Sequence, residues 1–242
     1  MNQLTMFDAN VYREFCDDGQ VQEVRFIKAV GKIPYTNDSA RGVTVSGYFD
    51  NHADFCKHVR AALNSLTYDG CFFTLQRIDP RLLARAANRF KIATHTTADH
   101  DVLWYDWLPL DTDPVRPAGI PSSDFELKQA LALRDKVAEW VMENLKFTAP
   151  IRAMSGNGAH LLFRLPGMPV NHETIAFVKN TLIGLADRFD TDDVKIDRVV
   201  FNPSRIWKLY GSYARKGDDL PAGPGREARP HRMAYIESLG GI

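Results

Sequence analysis

Apolar positions recur along the chain with two different periods, and the places where the period changes delimit the elements. After Asn51, the residues Phe55, Val59, Ala62, Leu63 and Leu66 share one face at helical spacing and predict a first helix. Asp79 reads as a cap and Pro80 as a first helical residue, and Leu82, Leu83, Ala86, Ala87 and Phe90 extend this into a second predicted helix. The third is the clearest: Ser123 and Glu126 have capping-box spacing, Ala130, Leu133, Val137, Trp140 and Val141 line one face, and Lys128, Asp135, Lys136, Glu139 and Glu143 fall opposite. A fourth runs from about Glu173 to Phe189 on Ile175, Val178, Leu182, Leu185 and Phe189. Runs rich in β-branched and aromatic residues predict strands at Val21 to Val30, Val43 to Phe49, Cys71 to Gln76, Val102 to Leu110, Ala159 to Leu165, Val199 to Leu209 and Arg232 to Ile236. No internal repeat is visible, and the predicted class is α+β.

Composition narrows the setting. At 242 residues, 45% hydrophobic and 25% charged, the chain matches an ordinary globular protein and excludes a disordered tail or a fibre. Thirty basic residues balance thirty acidic ones, so no overall field recruits a polyanion and any such site must be local. Three cysteines, Cys16, Cys56 and Cys71, form no CxxC pair, which fits a reducing cytoplasm, and Cys71 beside Phe72 and Phe73 reads as packing. The start lacks the apolar region of a signal peptide, and no apolar run approaches the ~20 residues of a membrane span. A soluble cytoplasmic protein with no membrane partner is the expectation. His52 and Cys56, with His95 and His100, lack a second pair at zinc-finger spacing.

Three segments carry candidate chemistry. WYDWLPLDTDPVRP places Asp111 and Asp113 two apart at the end of an apolar strand. If the strand continues through them, both carboxylates leave one face with Cα atoms ~6.7 Å apart, a spacing that suits divalent ions, although Asp-Thr-Asp-Pro is also good turn chemistry. SGNGAHLLF makes a small loop of Ser155, Gly156, Asn157 and Gly158 before a strand holding His160. This is either a phosphate cradle or a hairpin turn followed by a core histidine bonded to a carbonyl. The third segment places Asp197 before Arg205, Lys208 and Lys216. From Arg205 to Arg232 there are seven basic residues and three acidic, interleaved with Trp207, Tyr210 and Tyr213, which is either a solvated face or a groove for nucleic acid or a nucleotide.

In that order, the acid pair, the SGNGAH loop and IDRVVFNPSRIWKLYG resemble motifs I, II and III of the archaeo-eukaryotic primase superfamily. GYFD, FFTLQRIDPRLLARAANRF, LDTDPVRPAGIPSSDFE and RPHR look like the bacterial primase-polymerase domains found in plasmid and prophage replication proteins and beside CRISPR systems. The resemblance spans about Val24 to Ile236. It implies an N-terminal α/β module, about residues 1 to 100, packed on an RNA-recognition-motif-like module, 101 to 242, that holds all three motifs. It also implies a DNA primase-polymerase acting on single-stranded DNA template, primer and (d)NTPs; additional helicase or priming domains of a longer parent protein are one open expectation beside it.

The implied roles can be put residue by residue. Asp111, Asp113 and Asp197 would be catalytic and would bind Mg²⁺ or Mn²⁺, since clustered carboxylates are stable as anions when cations lie between them. Two such ions ~3.5 to 4 Å apart could activate a primer hydroxyl and stabilise departing pyrophosphate. Ser155, Gly156, Asn157 and His160 would meet the incoming triphosphate together with Arg205, Lys208 and Lys216. Some relatives carry a basic residue in the motif II loop where this chain has Asn157, so the loop's missing charge must come from Arg205, Lys208 or elsewhere. A zinc-binding insertion seen in some relatives is not evident. Template would lie along Trp207 to Arg232, and the cluster Arg229, His231 and Arg232 would hold a second nucleotide for initiation, or else be a surface loop. Two rival functions remain: a metal-dependent nuclease using the same acids on water, and a nucleic-acid-binding module with an inactive site.

Overall fold

The computed structural model describes residues 7–240. Strands β1 (Gln22–Lys32) and β2 (Ser39–Phe49) pair antiparallel, with Val24, Phe26 and Val45 fully buried on the inner face. A bulge between Phe26 and Ala29 interrupts the alternation, and Lys28 there adopts a positive φ of 50°. Helix α1 (His52–Ser65) starts where Asn51 accepts a bond from the Asp54 N–H, and it buries Phe55, Val59 and Ala62 as its periodicity predicts. Strands β3 (Leu66–Thr67), β4 (Gly70–Thr74), β5 (Arg77–Ile78), β6 (Phe90–Ile92) and β7 (Val102–Pro114) follow. Helix α2 (Asp124–Leu145) opens with the expected Ser123/Glu126 capping box. Then come β8 (Ile151–Met154), β9 (Ala159–Pro169), helix α3 (His172–Phe189), β10 (Val194–Ile196), β11 (Ile206–Lys208), β12 (Tyr213–Ala214), β13 (Arg232–Met233) and β14 (Tyr235–Ser238).

Two antiparallel sheets result. The first has the order β11-β4-β1-β2-β6, with β3 also on β1; the second has β10-β7-β9-β8-β14, with β5 also on β7. Within the second, β7-α2-β8-β9-α3-β10 forms a split β-α-β-β-α-β unit whose strands lie in the order β10-β7-β9-β8. Each sheet borrows from the other half of the chain: β11 completes the first and β5 extends the second. Phe15 is wedged between them, 5.2 Å from Phe73 on β4 and 5.5 Å from Trp107 on β7. Burying one such ring is worth about 1.5–3 kcal/mol, and a shared aromatic core therefore ties the sheets together. Among the described residues no helix is long and apolar enough to cross a membrane.

The structure corrects two predicted elements. Pro80–Arg85 is a short 3₁₀ turn, capped by Asp79 as expected, and no second long helix follows. The edge of β2 takes the backbone instead: Tyr48 N–H donates to the Ala86 carbonyl (3.2 Å) and Asn88 N–H to the Tyr48 carbonyl (2.8 Å), so that Phe90 begins a strand. The predicted strand Val199 to Leu209 shrinks to Ile206–Lys208, preceded by turns in which Val199 is exposed.

Candidate active site

β7 runs on through the acid pair, so the strand alternation holds to its end. Thr112 points the opposite way and is fully buried, its hydroxyl 3.1 Å from the carbonyls of both Ala130 on α2 and Ala159 on β9, to either of which its one proton can be donated. Asp111 and Asp113 consequently leave the other face. On the neighbouring strands His160 lies directly opposite Asp111, and Asp197 follows the last residue of β10, its N–H donating to the Asp111 carbonyl at 2.8 Å. Antiparallel pairing thus gathers residues up to 86 positions apart around Asp111.

The carboxylates are unequally partnered. Asp113 receives Arg116 at 3.1 Å, and Asp197 receives Arg205 at 3.4 Å and the Val199 N–H at 2.8 Å. Asp111 has a sealed oxygen, Oδ1, without a hydrogen-bond partner, and the His160 Nε2 is 3.6 Å from it. Burial first, then the charges of Asp113 and Asp197, push the Asp111 carboxyl well above the usual range. Among the described residues no three Asp, Glu, His or Cys side chains are already gathered to hold an ion, and Asp113 and Asp197 are paired with Arg116 and Arg205. The donor set is nevertheless all carboxylate oxygen, with one orphaned atom, and this chemistry fits a hard divalent cation.

His160 is buried under Trp207, with ring centroids 4.2 Å apart. The Trp207 Nε1–H donates to the Tyr210 hydroxyl, which lies 2.9 Å from His160 Nδ1. With the tyrosine proton given to Nδ1, the imidazole keeps its proton on Nε2, toward Asp111. Burial first, then the charges of Lys208 and Arg134, hold the imidazolium down to about 3, so His160 is neutral in ordinary conditions.

Asp111, Asp113, Asp197, Ser155, Asn157, His160, Arg205, Lys208 and Lys216 all line one cleft of about 770 Å³ between the two sheets. SGNGAH is the hairpin turn between β8 and β9: the Ser155 N–H donates to the Gly158 carbonyl (3.0 Å) and the Gly158 N–H to Ser155 Oγ (3.1 Å). The hydrogen-bond partner of His160 is the Tyr210 hydroxyl, where a carbonyl was one expectation. Lys208 sits beneath the cleft, donating to the Tyr213 carbonyl at 2.8 Å, and burial brings its ammonium down to about 8.

The comparisons with known proteins add little to this geometry. No protein-family model matches the chain, and no curated protein does. A solved structure similar in overall shape is the polymerase domain from Mycobacterium tuberculosis Ligase D in complex with DNA, at 13% identity and a TM-score of 0.45, covering 93% of this chain and 77% of that one.

Some expected residues lie elsewhere. Gly156, with a φ of 109°, packs behind the loop against Ala214. Arg229 forks onto Glu126 at 2.8 Å and bonds the Pro121 carbonyl, while Arg232 bonds Ser122 and Asp124. His231 lies 2.8 Å from the Gly217 carbonyl. None of these three lines the cleft; Arg229 and Arg232 brace the start of α2. Trp207 and Tyr210 are each 3% exposed and so offer no stacking surface. Sequence reasoning missed two cleft cations, Lys28 at the bulge and Arg116, while Arg215 belongs to the basic stretch after Arg205 that it had picked out. Arg116 had a visible signal, since it lies three residues after Asp113 in the same run.

Proposed function

We propose that this chain performs template-directed nucleotidyl transfer on single-stranded DNA, synthesising and extending primers from (d)NTPs in the cytoplasm, with Mg²⁺ or Mn²⁺ held by Asp111, Asp113 and Asp197. The observation that carries the reading is a single cleft in which these carboxylates face six cationic side chains: Lys28, Arg116, Arg205, Lys208, Arg215 and Lys216. A cation site alone would serve hydrolysis as well; the surrounding positive charge suits a polyphosphate. Bound divalent ions would supply Lewis-acid stabilisation of the charge that develops as pyrophosphate leaves.

The remaining work falls to the protein. Asp111 and its neighbours orient the cation side of the cleft, Arg205 and Lys216 bind phosphate charge, and Ser155 and Asn157 border the nucleotide. His160, neutral and with its Nε2–H turned toward Asp111 at 3.6 Å, contributes no positive charge. The split β-α-β-β-α-β strand order supports the RNA-recognition-motif-like reading of residues 101 to 242. The enclosing cleft also needs Lys28, Asp69 and Phe72 from the first half.

Primed and unprimed single-stranded templates incubated with all nucleotides and Mg²⁺ or Mn²⁺, with products sized on a gel, test this. Extension by the wild type and its loss in Asp111→Ala/Asp113→Ala are expected. Shortened template in place of extended primer would favour the nuclease, and template binding with neither product would favour an inactive binding module. γ-Labelled dinucleotides from unprimed template would establish initiation.

A further inference from the structure

Arg116 has an arrangement that its neighbours in the cleft lack. Its side chain is 4% exposed, yet it belongs to the cleft wall. Two carbonyls fix the guanidinium, with Nε donating to Ile120 O at 3.2 Å and Nη1 to Pro114 O at 2.9 Å. Nη1 also reaches Asp113 Oδ1 at 3.1 Å, while Nη2 has no hydrogen-bond partner among the described residues. The segment that carries it is held close: at Gly217, where φ is +67°, an added Cβ would come within 2.2 Å of the Gly119 carbonyl, so the two loops touch. Carbonyls position a guanidinium without neutralising it, so Asp113, itself 44% exposed, is its counter-ion.

We propose that Arg116 is an anchoring residue for the polyphosphate chain, occupied by Asp113 until a divalent cation draws that carboxylate away. It would supply the charge that the SGNGAH loop lacks. Arg116 then presents a pre-set fork, Nη1 and Nη2, to phosphate oxygens, the bidentate geometry that favours arginine over lysine. Cation and polyphosphate consequently bind with positive coupling, because one releases the group that the other needs. The proposal takes its ligand class from the function proposed above, while its test uses an inert probe.

The test is calorimetric titration of the full chain with inorganic tripolyphosphate, first in chelator and then with Mg²⁺. In chelator Asp113→Asn should bind at least about tenfold tighter than wild type, and Asp113→Asn/Arg116→Ala should lose that gain; tenfold corresponds to about 1.4 kcal/mol. With Mg²⁺, Arg116→Ala should bind about tenfold weaker than wild type, and Arg116→Lys should recover only part of the loss. A gain from Asp113→Asn that is equally large without Arg116 would be general electrostatics and would overturn the proposal, as would unchanged affinity in Arg116→Ala or no binding by wild type. If Arg116→Ala does not fold by near-ultraviolet circular dichroism, Arg116→Lys and Asp113→Asn decide between the same outcomes. This pattern in a protein that extends no primer would leave the anion site standing and remove the polymerase reading.

Discussion

Asp111 carries a cost that its surroundings do not relieve. One oxygen is sealed without a partner, and two more carboxylates stand nearby. Asp111→Asn should therefore stabilise the cation-free protein by about 1 kcal/mol or more, a rise of about 2–4 °C per kcal/mol in melting midpoint at this size, while abolishing transfer. Thermal scans in chelator check this, and a lowered midpoint would contradict it. Lys208 gives a pH signature. Its ammonium falls to about 8 in the fold against 10.5 in the free side chain, so between those values the unfolded Lys208 holds a proton that the folded one has lost and its contribution to stability rises with pH, while the thiols of Cys16 and Cys71, pushed up by burial, contribute in the opposite direction. Urea unfolding across that window should show a more positive slope of stability against pH in wild type than in Lys208→Met, and equal slopes in the two would contradict the assignment. The three aspartates were legible because strand alternation and motif order are local properties of the chain. Tyr210 was read as part of a groove, and its bond to His160 was invisible because it joins residues 50 apart whose meeting depends on the sheet packing.

At the scale of elements, the hairpin between β8 and β9 is built around a close approach. An added Cβ at Gly158 would lie 2.4 Å from the Thr112 carbonyl and 2.9 Å from Asp113 Oδ1. Gly158→Ala must push β9 and β7 apart beside the acid pair, at a cost of about 2 kcal/mol or more. Chemical denaturation and primer extension should both register it, with extension falling even where the protein is fully folded; wild-type values in both would refute the role. Long elements with caps, α1, α2 and α3, were legible for the reason that Asn51 and Ser123 declare their starts and the apolar stripe persists over several turns. Short ones were not. β10 and β11 have three residues each, and Pro80–Arg85 lost its helical continuation to hydrogen bonds from Tyr48, more than thirty positions earlier.

Over the whole molecule, the two sheets are not separable along the chain. The expected boundary near residue 100 leaves β5 in the first half and β11 in the second, each paired with a strand of the other half. Fragments 1–100 and 101–242 expressed separately should each give poorly dispersed amide spectra and no extension activity; a folded, independent fragment would contradict this. Net neutrality concealed the six cations of the cleft, which come from both halves. The basic stretch after Arg205 supplied part of that picture, whereas Lys28 and Arg116 joined it only through the bulge in β1 and the turn after β7.

The borrowed strand also orders events during translation. A ribosome releases β4 well before Ile206–Lys208, and until those residues emerge the first sheet ends in an unpaired edge at Gly70–Thr74, whose Cys71 and Phe73 are fully buried in the finished protein. An apolar edge left open while more than a hundred further residues are polymerised is the kind of surface that recruits chaperones or pairs with a neighbouring nascent chain. Slow elongation between the codons for β4 and β11 should thus lower the soluble yield, and the segment that completes the cleft is also the one that closes this edge.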